Sequence, residues 1–347
     1  MSDINKISVI VPFYKRDNYA EEIYKSLDYQ STKDQILIEL IFVDSKSRTS
    51  LENFLRSYKS GDYITHSIID TTNHVSKKRN IGIKNASSDN IIIIDDDCIP
   101  DNNFLTNHYR SLKKHEGQNI LFCGNVKFKN NLTNSSNYYR FRNEKHKKAN
   151  NKNFKNTNIN IHNIVTMNMS FDRKSLIKNN LFFNEDFNTY GFEDLQFGVD
   201  ARLKGFNIKL NEASIFHKES TTLNLYLKKI KSFSNAYTSL FYEYNIKNSK
   251  IQDSDDILKK DFDSYRLLRF SSKLSRFINQ SNFILKFISI TLFHIFKFKR
   301  IVLITYLNFT DKFRLCYSYN AYQLLLGVIF LESIFENRSI NKNWIEK

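Results

Sequence analysis

The sequence predicts an α/β domain built on a mostly parallel sheet and followed by a helical, basic extension. Strand-like and helix-like runs alternate through residues 1–220, the pattern of a sheet covered on both faces. Two of the apolar runs end directly on carboxylates, at Asp44 and at Asp95-Asp96-Asp97. Residues 221–347 are aromatic, leucine-rich and basic, without strand punctuation, so a boundary is set there. A chain of 347 residues that is 41% hydrophobic can fill a core of this size.

Ile7-Ser8-Val9-Ile10-Val11-Pro12 is a β-branched run ended by proline and reads as a buried first strand. Residues 18–27 read as a helix. Leu40-Ile41-Phe42-Val43 gives a second strand closed by Asp44, and residues 64–70 repeat the pattern more weakly. A helix over residues 77–85 leads into Ile91-Ile92-Ile93-Ile94, which runs into the three aspartates. Ligands of such sheets bind beyond the carboxyl ends of the strands, where Asp44 and the aspartates lie. The only two prolines, Pro12 and Pro100, each follow one of these strands. Residues 127–163 are crowded with Asn and Lys and hold little apolar periodicity, which reads as a solvated loop or as a flap over a phosphate-bearing ligand.

Three adjacent carboxylates resist joint ionisation unless a counter-charge is present. In a continuing strand Asp95 and Asp97 point to one side and Asp96 to the other, so the first and third could share a hard cation such as Mg²⁺ or Mn²⁺. A solvated turn is the other reading of the same residues. Glu193 and Asp194 follow Gly191-Phe192 and open a helix, where they serve either as partners of the helix dipole or as a second acidic cluster. His217 closes the apolar run of residues 213–216, as a surface imidazole or as a functional one.

Charge narrows the partners. With 52 Lys and Arg against 36 Asp and Glu the net charge is +16, which calls for an acidic partner: nucleic acid, anionic lipid or a phosphorylated substrate. A nucleic-acid-binding surface would leave the ordered acidic motifs unexplained, so no nucleic acid is expected. Cysteines 98, 123 and 316 form no CxxC pair or disulfide framework, and the N-terminus lacks the order of a signal peptide; both features point to a reducing cytosol.

Taken together, these motifs resemble glycosyltransferase family 2, and the second half looks similar to the chondroitin- and heparosan-type polymerase domains of bacterial capsules. Ile7 to Tyr14 matches the family's first strand and Pro-x-Tyr turn, and Val43-Asp44 the start of its Val-Asp-Asp-Gly-Ser segment. Ser76-Lys77-Lys78-Arg79-Asn80-Ile81-Gly82 matches Ala-Arg-Asn-x-Gly, and Asp95-Asp96-Asp97 matches Asp-x-Asp. Met167-Asn168-Met169-Ser170-Phe171, Gly191-Phe192-Glu193-Asp194 and Phe216-His217-Lys218-Glu219-Ser220 follow in family order. The chain departs from the pattern at Ser45-Lys46-Ser47, which bears on the nucleobase pocket, and at Gly191-Phe192, which bears on the acceptor loop.

The resemblance implies a GT-A fold over residues 1–220, with a nucleotide-sugar half (1–125), a flexible Asn/Lys-rich loop (126–163) and an acceptor half (164–220). It implies a nucleoside diphosphate sugar donor bound by Pro12, Tyr14, Asp44, Arg79, Asp95 and Asp96, with Asp44 on the nucleobase. It further implies Mn²⁺ or Mg²⁺ held by Asp97, His217 and Asp95. Asp194 would be the general base and Glu193 would hold an acceptor hydroxyl, giving inverting transfer to a glycan or lipid-linked glycan.

In the C-terminal third, Arg266, Arg269, Lys273 and Arg276 lie on one helical stripe and Leu267, Phe270, Leu274 and Phe277 on the next. This amphipathic pattern fits a packing helix or an anionic membrane surface as partner. Lysines 286, 297 and 299 and Arg300 interrupt residues 283–307, leaving uncharged runs of about ten residues, too short to span a bilayer. A cytoplasmic protein, peripheral on the inner face of the membrane, is the expected location.

Overall fold

The computed structural model describes residues 5–45, 49–153, 159–186, 192–218, 221–247, 283–313 and 316–340. Strands β1 (Lys6–Phe13), β2 (Leu37–Asp44), β3 (Ile64–Asp70) and β4 (Asn90–Ile94) are the predicted β-branched runs. They are joined by β5 (Cys98–Pro100), β6 (Ile120–Lys127), β7 (Asn168–Asp172) and β8 (Asn207–His217). The eight form one sheet in the order β3-β2-β1-β4-β7-β6-β8-β5. Pairing is parallel from β3 through β4 and between β6 and β8, and antiparallel where β7 meets β4 and β6 and where β5 meets β8.

The apolar runs of β1, β2 and β4 are continuous because both faces are covered. Val9, Val11, Leu40, Phe42, Ile92 and Ile94 join a core with Ile23 and Leu27 of helix α1 (Asp17–Asp34), Leu51 of α2 (Thr49–Ser57) and Phe104 of α4 (Phe104–Lys114). On the opposite parity Ile10 meets α3 (Val75–Asn85), whose Gly82 has no room for a side chain: a Cβ there would lie 2.3 Å from Ile10 Cγ2. β4 pairs with β1 only across Ser8–Ile10, so the end of β1 has β2 as its remaining partner and tolerates Pro12.

Residues 127–163, expected as a solvated loop or flap, instead carry helices α5 (Asn130–Ser135) and α6 (Asn137–Asn153) and a 3₁₀ turn at Ile161–Asn163; residues 154–158 lie outside the described residues. Tyr138 and Phe141 supply the apolar anchor at helical spacing. Two aromatics among many Asn and Lys are too sparse a period to read in advance.

The chain packs as two compact units. One comprises residues 1–130, 142–188 and 193–219, the other residues 131–141, 189–192 and 220–347. α7 (Arg173–Lys178) belongs to the first, and α8 (Phe192–Leu203) lies in it from Glu193 onward. The second unit is helical, with α9 (Leu223–Lys247), α10 (Phe283–Lys312) and α11 (Tyr319–Ile340). Its core gathers Tyr138, Phe141, Tyr226, Leu307, Tyr322 and Leu325, and the rings of Phe141 and Tyr322 stack at 4.6 Å. Buried Glu332 of α11 faces Arg300 Nε at 2.9 Å and Lys231 Nζ at 3.6 Å, tying three helices together. No helix among the described residues is long and apolar enough to cross a membrane. The stripe from Arg266 to Arg276 lies outside the described residues.

Candidate active site

Parallel pairing puts Phe13 opposite Asp44 and Asp44 opposite Asp70, so the carboxyl ends of β1 and β2 finish level. Asp44 is fully buried, and its Oδ1 accepts the Ser45 amide at 2.6 Å. Beside it the Lys78 ammonium donates to Phe13 O (2.6 Å), Ser45 Oγ (3.1 Å) and Asn73 Oδ1 (3.1 Å) and lies 5.4 Å from the Tyr14 ring centroid. Burial lowers the Lys78 pKa while Asp44 and Asp96 work to raise it. Lys78 lies in the motif from Ser76 to Gly82, whose family pattern marks Arg79 and not this lysine.

The expected alternation of Asp95, Asp96 and Asp97 does not occur, because β4 ends at Ile94 and the chain turns, with the Cys98 amide donating to Asp95 O at 3.0 Å. The side chains consequently part differently. Asp96 and Asp97 share Arg16, whose Nη1 is 2.6 Å from Asp96 Oδ1 and 2.6 Å from Asp97 Oδ2. Asp96 also accepts the Tyr14 amide at 2.8 Å. Asp95 turns to Arg79, at 3.1 Å. Burial raises the Asp96 pKa to about 6, against the opposing pull of Arg16. Burial would raise Asp97 too, but the hydrogen bond and charge of His217, with Arg16, hold it well below the ordinary carboxylate range. Nothing in the sequence singled out Arg16.

His217 reaches Asp97 through sheet pairing. β5 sets Cys98 opposite His217, the Lys218 amide donates to Asp97 O at 2.8 Å, and His217 Nε2 stands 3.4 Å from Asp97 Oδ2. Donor atoms of Asp97, Cys98 and His217 lie within 4.8 Å of one another, and buried His217 Nδ1 has no hydrogen-bond partner among the described residues. Carboxylate plus imidazole suits a divalent cation such as Mn²⁺. Burial and the neighbouring aspartates push the Cys98 thiol well up, which disfavours the thiolate form that a ligand needs. Asp95 is not part of this group.

The second acidic motif meets the first through Arg79. This guanidinium is 2% exposed, with Nη2 3.1 Å from Asp95 Oδ1 and Nη1 3.1 Å from Asp194 Oδ1 and 3.8 Å from Glu193 Oε1. Burial opposes its charge, yet Asp95, Asp194 and Glu193 together raise its pKa. The Thr166 hydroxyl also donates to Asp194 Oδ1. Burial raises both Glu193 and Asp194; the Asp194 charge lifts Glu193 further, while Arg79 pulls each down. Three carboxylates face one guanidinium, so the Glu193 and Asp194 pair tends to retain a proton. Arg79, expected on the nucleotide, is held here as the counter-ion of both acidic motifs. Two further residues of the motif pack the fold: Asn80 clamps the Phe183 backbone through two hydrogen bonds, of 2.8 and 2.9 Å, and Gly82 seats α3 on β1.

With this geometry in place, residues 8–179 match the model described as "Glycosyl transferase family 2". This segment belongs to that family. The chain is therefore a glycosyltransferase, and its α/β sheet with C-terminal helices is of the GT-A class. The family match ends before Glu193, Asp194 and His217. No curated protein matches the chain. Among solved structures it is similar to S. aureus TarS 1–349 in complex with UDP, at 16% identity and TM-score 0.49, covering 96% of this chain and 91% of that one. The same protein in complex with UDP-GlcNAc gives 15% and 0.46 with the same coverage. The catalytic domain of Drosophila beta1,4galactosyltransferase 7, complexed with xylobiose, gives 14% and 0.39, covering 62% of this chain and 72% of that one.

Proposed function

We propose that this glycosyltransferase moves a hexose or N-acetylhexosamine from a nucleoside diphosphate sugar, with UDP the favoured nucleotide, onto a glycan acceptor in surface polysaccharide synthesis, with inversion. The observation that carries the reading is the bridge through Arg79, which joins Asp95 at the end of β4 to Asp194 at the start of α8. Donor-side and acceptor-side acids then line one site, as a displacement reaction requires. The resemblance to capsule polymerase domains supports the acceptor class.

Asp44, Tyr14, Pro12 and Lys78, at and just beyond the carboxyl ends of β1 and β2, form the nucleoside side. Asp97 and His217 would hold the divalent cation, which neutralises charge building on the leaving diphosphate. Asp194 is the base for the acceptor hydroxyl. Its Oδ1 is taken by Arg79 and Thr166, which leaves Oδ2 as the oxygen to receive the proton. Glu193 binds an acceptor hydroxyl.

A screen of nucleotide sugars for Mn²⁺-dependent release of nucleoside diphosphate, with and without glycan acceptors, tests this directly. Release from one UDP-sugar, stimulated by an acceptor, is expected. Absence of binding and of release with every donor would overturn it.

A further inference from the structure

Helix α10 turns one face toward α11, and its opposite face is covered by none of the other described residues. Leu307 and Thr310 are buried and Arg300 points inward to Glu332. On the other side Ile295, Phe298, Val302, Tyr306, Phe309 and Phe313 are each between 43% and 67% exposed. Their spacing of three and four residues puts them on a single stripe, about 27 Å long at about 1.5 Å per residue. A continuous exposed stripe of large apolar side chains on one helix marks an interaction surface.

Charge identifies the occupant. At helical spacing Lys299 falls on one edge of the stripe and Lys312 on the other, while Lys297 lies on the far side of the helix; all three are exposed, and none has an acidic partner among the described residues. The one acid in the helix, Asp311, is taken by Ser136 and the Asn137 amide. A second copy of the chain on this face would set lysine against lysine with no carboxylate to answer it. An anionic bilayer satisfies both features at once, taking the apolar ridge into its acyl boundary and Lys299 and Lys312 against its headgroups. We infer that α10 lies flat on an anionic membrane surface through the stripe from Ile295 to Phe313. This goes beyond the proposed transfer reaction and does not depend on it.

Co-sedimentation of the full chain with vesicles of phosphatidylglycerol and phosphatidylcholine, and with phosphatidylcholine alone, tests the inference. The wild type should bind the anionic vesicles and weaken as salt rises. Phe298→Gln/Val302→Gln/Phe309→Gln should lower the partition coefficient at least about tenfold, with the thermal transition unchanged. Lys299→Gln/Lys312→Gln should flatten the salt dependence. Wild-type binding retained by the apolar triple variant would overturn the inference, leaving charge alone responsible. Loss of its thermal transition would do the same, since the stripe would then be covered by the chain itself. So would a wild-type dimer that the variant converts to monomer, because a second copy would be the occupant.

Discussion

Arg79 Nη1 stands 3.1 Å from Asp194 Oδ1 while Nη2 of the same guanidinium stands 3.1 Å from Asp95 Oδ1. One buried cation therefore holds two acidic motifs that are distant in sequence. Removing it leaves three carboxylates without their counter-charge, the situation in which breaking a buried pair costs most. Arg79→Met should destabilise the domain by about 3–5 kcal/mol, measured by urea unfolding at neutral pH. The deficit should shrink in acid. Carboxylates whose folded pKa is raised bind protons before the unfolded chain does, so stability returns as pH falls through their folded values. A deficit constant between neutral and acidic pH would show that Arg79 contributes packing and not charge.

With Asp194 as the proposed base, the Glu193 and Asp194 pair should set the pH dependence of transfer. Both pKa values are raised, chiefly by burial, so the acid limb of kcat/KM should lie above the range of an ordinary aspartate, and activity should be lost as pH falls through it. Asp194→Asn should lower kcat by about 10²–10⁴-fold while nucleotide binding, followed by calorimetry, survives. Near-normal turnover in that variant would move the base to another residue.

Asp97 and His217 give the third expectation. Excess EDTA should abolish transfer and Mn²⁺ should restore it. Asp97→Asn should cut kcat/KM by about 10²-fold or more, and His217→Ala should raise the Mn²⁺ concentration required for half activity. Full activity in EDTA would leave the Asp97 and His217 pair a structural contact only.

The strands and their acidic ends were legible because a buried parallel strand has a simple signature, an unbroken β-branched run. The pairing of Asp97 with His217 was legible only as a family pattern; its physical cause, the antiparallel match of Cys98 with His217, depends on a three-residue strand that no periodicity announces. Arg16 and Thr166 were hidden because an isolated Arg or Thr carries no pattern of its own. The side-chain directions of Asp95, Asp96 and Asp97 could not be read in advance, because strand alternation was carried three residues past the end of β4 at Ile94. The motif from Met167 to Phe171 was visible as a motif, but its work is structural: Asn168 and Ser170 belong to a buried polar network around His108.

That network yields the last prediction. Asn168 Nδ2 donates to the carbonyls of Asn125 (3.0 Å) and Ala213 (3.2 Å), so its Oδ1 must accept from His108 Nε2 at 2.8 Å. Asn211 Oδ1 accepts the Ala213 amide, which turns its Nδ2 toward His108 Nδ1 at 2.9 Å. His108 is thereby held neutral, protonated on Nε2 and accepting on Nδ1 from Asn211 and from the Ser170 hydroxyl at 2.8 Å; a second proton would set Nδ1–H against the Asn211 donor and require the Ser170 hydroxyl to turn and accept. Gly124 makes room, since a Cβ there would lie 2.3 Å from Asn168 Nδ2. Burial lowers the His108 pKa to about 4, below the value of about 6.5 for an unfolded chain. The unfolded state therefore binds the proton first. The contribution is complete above the unfolded value and is lost as pH falls from there toward the folded one, by about 2 kcal/mol at pH ~5. Urea unfolding of the wild type and of His108→Gln at pH ~7.5 and ~5 isolates the effect from other buried histidines. The variant, lacking the titrating ring, should be less stable at the higher pH and close most of the gap at the lower one. A gap that stays constant would mean that the protonated ring keeps its hydrogen bonds, with Ser170 Oγ turned to accept from Nδ1.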